Sequence, residues 1–315
     1  MEHRHAGHSH AGHSHEIAPD ADTRALSGAL ALILALMVGE IAAGAVAHSL
    51  ALLSDAAHML TDAAALAISL VAMRLAARPA RGAMTFGFRR VEILSAQANG
   101  VTLLVLAAFI AYEAVVRLFE PPRVHGALVL TVALAGALVN LAAVALLARA
   151  NRRSLNIEGS FQHILTDLYG FLGTAAAAIV ILASGFQRAD PIASLLIAGL
   201  MVRAGWGLVR ASARIFLEAA PEGLDPEAIG KALVAEQGVV EVHDLHVWEV
   251  TSGFPALSAH VTVGADADCH MARLRMQELL RDRFGVEHST LQVDHEVEQL
   301  LEISAPGRVG GSAPR

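Results

Sequence analysis

Six apolar segments, at about residues 26–46, 50–76, 91–118, 126–149, 160–184 and 191–213, limit what this chain can fold into. Each runs for roughly 20 residues or more, the length at which a helix crosses the hydrocarbon core of a bilayer. The composition agrees: 55% of the 315 residues are apolar and 17% are charged, a balance beyond that of ordinary soluble domains. The chain reads as a polytopic α-helical membrane protein with six transmembrane helices. Arginine gives it a direction. Arg74, Arg78, Arg81, Arg89 and Arg90 lie between the second and third segments, and Arg149, Arg152 and Arg153 between the fourth and fifth. The opposite connections carry only Arg117, Arg123 and Arg188. The positive-inside rule then puts both termini in the cytoplasm. The stretch after Met1 is polar and histidine-rich, so a cleavable signal is not expected.

Beyond Glu218 the texture changes. PEGLDPEAIGKALVAEQG has the signals of a helix starting near Asp225 and Pro226 and stopped by Gly238. VVEVHDLHVWEV and ALSAHVTV alternate as strands around the turn TSGFP. ADCHMARLRMQELLRDRFG reads as an amphipathic helix ended by Gly285, and VEHSTLQVDHEV as a last strand. The order αββαβ implies a small two-layer α+β domain on the cytoplasmic side. The expected organisation is a disordered His-rich arm (1–23), a membrane domain (24–214), a cytoplasmic domain (215–302) and a disordered tail (303–315).

The chemistry sits inside the apolar segments. LSDAAHMLTDAAALAISL, residues 53–70, carries Asp55, His58 and Asp62, and SFQHILTDLYGFLG carries His163 and Asp167. H-x-x-x-D thus occurs in two spans, and its spacing puts each His–Asp pair on one helical face. A charge at the centre of a bilayer costs from about 2.5 kcal/mol upwards, so such groups need a partner or a task. Facing pairs hide both from lipid and bring together two imidazole nitrogens and two carboxylate oxygens. That set suits a tetrahedral divalent ion, zinc first. Cobalt, cadmium and nickel are also tolerated, while the lack of a thiolate weighs against copper(I). Imidazole must be neutral to bind metal and titrates near physiological pH, so the site can exchange protons for metal. Asp55 is read as a packing acid behind the ligands rather than a ligand.

Other readings are weaker. Haem ligation would use His58 and His163 but leave the aspartates unexplained. A metalloenzyme needs an open metal position and a general base, of which H-E-x-x-H is the familiar form, and neither is visible. A membrane-anchored metal sensor is the alternative, and it leaves the buried acids without a role. One cysteine, Cys269, excludes a disulfide framework. A net charge of −7 without a basic patch gives no case for nucleic acid.

SLALLSDAAHMLTD, TFGFRRVEIL, FQHILTDLYGFLG, DPIASLLIAGLMV, LEAAPEGLD and VHDLHVWEVTSG together resemble the cation diffusion facilitator family, in its bacterial zinc/cobalt/cadmium efflux form. The resemblance covers about residues 24–298. It implies six transmembrane helices, a ferredoxin-like cytoplasmic domain, a homodimer in the inner membrane, and metal–proton antiport that exports zinc. Its transport ligands fall on His58, Asp62, His163 and Asp167, with no catalytic residue and no resident organic cofactor. It also implies a cytoplasmic regulatory zinc site at positions such as His243, His260, His270 and Asp294, although Gln292 stands where some members have histidine. Residues 77–90 hold no His, Asp, Glu or Cys, which argues against a metal site in that loop. The tract His3, His5, His8, His10, His13 and His15 is read as an accessory metal-gathering arm. Asn99 and Asn140 are expected to pack helices together, His246 and Trp248 to shape strand packing or a dimer contact, and Glu40 and Glu113 to have little part.

Overall fold

A computed structural model describes residues 19–47, 50–120 and 126–296. It divides into two units, residues 1–217 with 250–253, and residues 218–249 with 254–315. The first holds six helices: α1 (Pro19–Ala47), α2 (Leu50–Ala76), α3 (Val91–Phe119), α4 (Gly126–Leu147), α5 (Leu155–Ser184) and α6 (Ala189–Phe216). Five of them, α1, α3, α4, α5 and α6, are long and apolar enough to cross a membrane. Their outer faces carry large apolar side chains, with Phe109, Tyr112, Leu196 and Trp206 each more than 60% exposed. In water that pattern would be an aggregation hazard, and against lipid tails it costs nothing. The polar residues lie inside: Asp62, Ser69, Asn99, Asn156, Ser160 and His163 are all buried.

Two packing devices set the helix spacing. Leu26, Ile33, Leu66, Leu147 and Ile164 form a core shared by α1, α2, α4 and α5. Between α3 and α6, Gly100 and Gly205 meet backbone to backbone. A Cβ on Gly205 would lie 2.8 Å from the Gly100 carbonyl oxygen, so neither position has room for a side chain. Gly136 does the same for the Phe171 ring, which lies where its Cβ would be. Such small-residue contacts are the usual means of close helix approach in a bilayer.

Helix α5 begins earlier than its apolar run implies, at Leu155 rather than residue 160. Ser154 is the reason. Its side-chain oxygen accepts the Ile157 N–H as an N-cap, and its hydroxyl donates to Glu92 on α3. The extra turn brings Asn156 onto the helix.

The second unit has the element order α7 (Pro226–Val234), β1 (Val239–Glu249), β2 (Pro255–Val263), α8 (Cys269–Phe284) and β3 (His288–His295). The αββαβ order is the one read from sequence. Helix α7 is capped by Asp225 and ends at Val234, short of Gly238, which sits at φ 86° in the turn into β1. The sheet order is β1-β2-β3, antiparallel between β1 and β2 and parallel between β2 and β3. Ile229, Leu233, Leu257, Val261, Met276 and Leu280 fill the core between the sheet and its two helices. The opposite sheet face exposes His243, Asp244 and His260.

Candidate metal centre

Asp62 on α2 and His163 and Asp167 on α5 converge inside the first unit, with their candidate ligand atoms all within 4.8 Å of one another. His163 Nε2 is 3.0 Å from Asp62 Oδ1 and 3.9 Å from Asp167 Oδ2. Ligands held about 2.0 Å from a tetrahedral ion stand about 3.3 Å apart, so these two separations lie near the spacing that one ion would need. His163 is 1% exposed and Asp62 6%. Its Nδ1 is buried with no hydrogen-bond partner among the described residues. Two carboxylates and an imidazole, buried together in an apolar bundle, are mutually repulsive on the acid side until a cation or protons join them.

Three of the four residues proposed from sequence therefore meet. The fourth, His58, lies one helical turn before Asp62 on α2, and its side chain falls outside the described residues, as do those of Asp55, Glu40, His48 and His125 and the whole histidine tract. Glu113 pairs with Arg117 on α3 at 3.9 Å. Asn140 donates to the Gly136 carbonyl of its own helix, at 3.1 Å.

A second group lies on the open sheet face of the other unit: His243, Asp244 and His260. His243 and His260 are register partners across β1 and β2, with ring centroids 5.4 Å apart. His260 Nδ1 stands 3.9 Å from Asp244 Oδ2. Asp244 was not singled out from the sequence, because strict alternation after His243 points it at the core. The chain avoids this with a bulge: Asp244 has φ 49°, and the β1–β2 register shifts between His243 and His246. The extra residue puts both His243 and Asp244 on the open face and returns Leu245 to the core side. The signal was present in V-H-D-L-H-V, where two polar residues interrupt the alternation.

His270 and Asp294 are not part of this group. His270 sits in the first turn of α8, its backbone N–H bonded to the capping Asp268. Asp294 accepts a 2.9 Å bond from Gln292, the residue that registers with His260 on β3. His295 Nε2 donates to the Ala267 carbonyl at 2.9 Å.

A bundle of membrane-length helices around a buried His/Asp cluster defines a membrane protein that handles cations. The sequence comparisons name the family. Residues 27–217 match the cation efflux transmembrane domain, and residues 221–296 match the cation efflux protein cytoplasmic domain. The chain is 38% identical over 277 residues to the cation efflux system protein CzcD of an Alcaligenes species, covering 88% of each chain. It is 36% identical to a cadmium, cobalt and zinc/H(+)-K(+) antiporter of Bacillus subtilis, covering 88% of this chain and 90% of that one. It is 37% identical to the zinc transporter ZitB of Pectobacterium atrosepticum, covering 87% and 86%. The chain belongs to the cation efflux family, and is a multi-pass membrane transporter rather than an enzyme.

Proposed function

We propose that the chain exports zinc from the cytoplasm, and cobalt and cadmium with it, by exchanging the ion for protons at a site of His58, Asp62, His163 and Asp167. The observation that carries this reading is the buried meeting of Asp62, His163 and Asp167 from two helices. Relatives named for zinc, cobalt and cadmium transport support the choice of ion. In this reading α2 is the sixth span, the termini and arginine loops face the cytoplasm of the inner membrane, the second unit is a ferredoxin-like domain of 215–302, and two chains form a homodimer. The residues before 24 and after 302 are accessory.

The geometry supports such an exchange. His163 Nε2 sits at hydrogen-bond distance from Asp62. With a proton on it, that nitrogen donates to the carboxylate; without one, its lone pair is free for zinc. Proton and metal therefore compete for the same nitrogen and the same carboxylates, and the site stays nearly neutral in both forms. Alternating exposure of such a site to the two sides is antiport. Zinc uptake into inverted vesicles under an imposed pH gradient tests this. Accumulation that collapses when an ionophore removes the gradient is expected. Zinc flux indifferent to the gradient contradicts proton coupling, and no flux of any divalent ion contradicts transport itself.

The His243, Asp244 and His260 group supplies two nitrogens and an oxygen on an exposed face, a set suited to a regulatory zinc ion. It shares His243 and His260 with the set His243, His260, His270 and Asp294 expected from the sequence. His260→Ala is expected to raise the zinc concentration needed for half-maximal flux while leaving the dependence on the pH gradient intact. An unchanged zinc curve contradicts a regulatory role.

A further inference from the structure

One buried polar cluster in the helical unit is not used by the metal site. Asn156, Ser160, His163 and Asp167 follow one another at four-, three- and four-residue steps on α5, a single helical face. On α2, Ser69 lies seven residues after Asp62, and on α3, Ser95 and Asn99 are four apart. Ser69, Ser95, Asn99 and Asn156 are each at most 4% exposed. They tie three helices together. Asn99 Nδ2 donates to the Ser69 hydroxyl at 3.2 Å, the Ser69 and Ser95 hydroxyls lie 3.4 Å apart, and Asn156 Nδ2 donates to the Ser69 carbonyl at 2.8 Å. Ser160 donates to the Asn156 carbonyl. Gly159 packs against Asn99, where an added Cβ would sit in ordinary contact, 3.4 Å from Asn99 Nδ2.

The cluster stands between the metal site and the end of the bundle where α2 leaves for the arginine loop and α5 begins. Leucine and alanine would pack these helices without leaving polar atoms to satisfy. The Asn156 amide oxygen shows the cost, being buried with no hydrogen-bond partner among the described residues. A buried amide oxygen without a protein partner is costly, and water or a passing cation is the partner it suits.

We propose that Ser69, Ser95, Asn99 and Asn156 are the gate on the arginine-loop side of the transport site. When that side is shut, the Asn156 amide holds α5 to the Ser69 carbonyl of α2, and Asn99 and Ser95 hold α2 to α3. When α5 separates, the same amides and hydroxyls line the entry and share the hydration of the incoming divalent ion. Hydrogen bonds suit a gate because each is worth little net and re-forms without strain, so the two states stay close in energy. The proposal rests on the transport reading above for its direction, inward from the cytoplasm.

The test is accessibility. In a Cys269→Ser background, a Ser160→Cys reporter in inverted vesicles is challenged with a membrane-impermeant cationic methanethiosulfonate. Loss of one or two buried hydrogen bonds shifts the shut–open balance by about three- to tenfold. Asn156→Ala, and independently Asn156→Leu, each remove the donor to the Ser69 carbonyl and are expected to speed labelling by that factor. A second reporter, Ala178→Cys, lies beyond Asp167 on α5 and should not label faster. An unchanged rate at Ser160→Cys in both variants overturns the gate, as does a rise at both reporters, which signals general loosening. If Asn156→Ala does not fold, Asn156→Leu, which fills the space and lacks the donor, decides alone. Zinc binding by the same vesicle protein, compared with Asp62→Ala, reports separately on the transport site. Loss of the Asp62 dependence contradicts that site, and the labelling rates still decide the gate.

Discussion

Zinc flux through Asp62→Ala is expected to fall by at least about 100-fold while the protein still folds and inserts. Changes merely behind a metal ligand already cost 10- to 100-fold in affinity or activity, and in the proposed site Asp62 would supply both a ligand oxygen and the partner of His163. The residue is 6% exposed, so no water replaces its carboxylate freely. Alanine also leaves His163 Nε2 without its 3.0 Å neighbour. Asp62→Asn separates the two effects. It keeps the volume and an oxygen for the imidazole but removes the negative charge that offsets the ion. If the carboxylate is a ligand, the asparagine variant is nearly as inactive as the alanine one. If Asp62 only positions His163, asparagine restores most of the flux. Near-parental flux in both variants, at equal expression, contradicts the site.

Replacing His58 by aspartate is expected to change which metal moves rather than stop transport. The proposed set becomes three carboxylates and one imidazole, a harder group of donors that favours manganese over zinc relative to the parent. A fall of about tenfold or more in the zinc-to-manganese flux ratio is expected on that ground. Competition between the two ions in the same vesicles measures the ratio directly and cancels differences in expression. An unchanged ratio removes His58 from the ligands and leaves Asp62, His163 and Asp167 to hold the ion with water.

Where the sequence was legible, it was because burial made residue types expensive. A histidine and an aspartate four apart in each of two apolar segments could be hidden in few ways, and the fold brings Asp62 to His163 and Asp167. The αββαβ order was legible for a similar reason, since alternation and glycine stops leave little choice. Backbone detail was not. The start of α5 depends on Ser154 capping a turn that precedes the apolar run, and so Asn156 was not placed in the bundle. Asp244 reaches the open sheet face through a bulge, which no period-two reading places. Asn99 was expected to pack helices and does so, but its partners Ser69 and Asn156 come from helices remote in sequence.

In the proposed mechanism zinc and protons compete for one buried site, and proton release on zinc binding reports that competition. The chain would lack residues 2–15 and carry His260→Ala, so that neither the histidine arm nor the open sheet face contributes. In detergent at about pH 6.5, where histidine ordinarily titrates, each zinc bound should expel at least one proton into a weakly buffered medium. His163→Gln should reduce that release together with zinc affinity. Zinc binding of unchanged affinity with no proton release, or a release that His163→Gln leaves intact, would contradict the account.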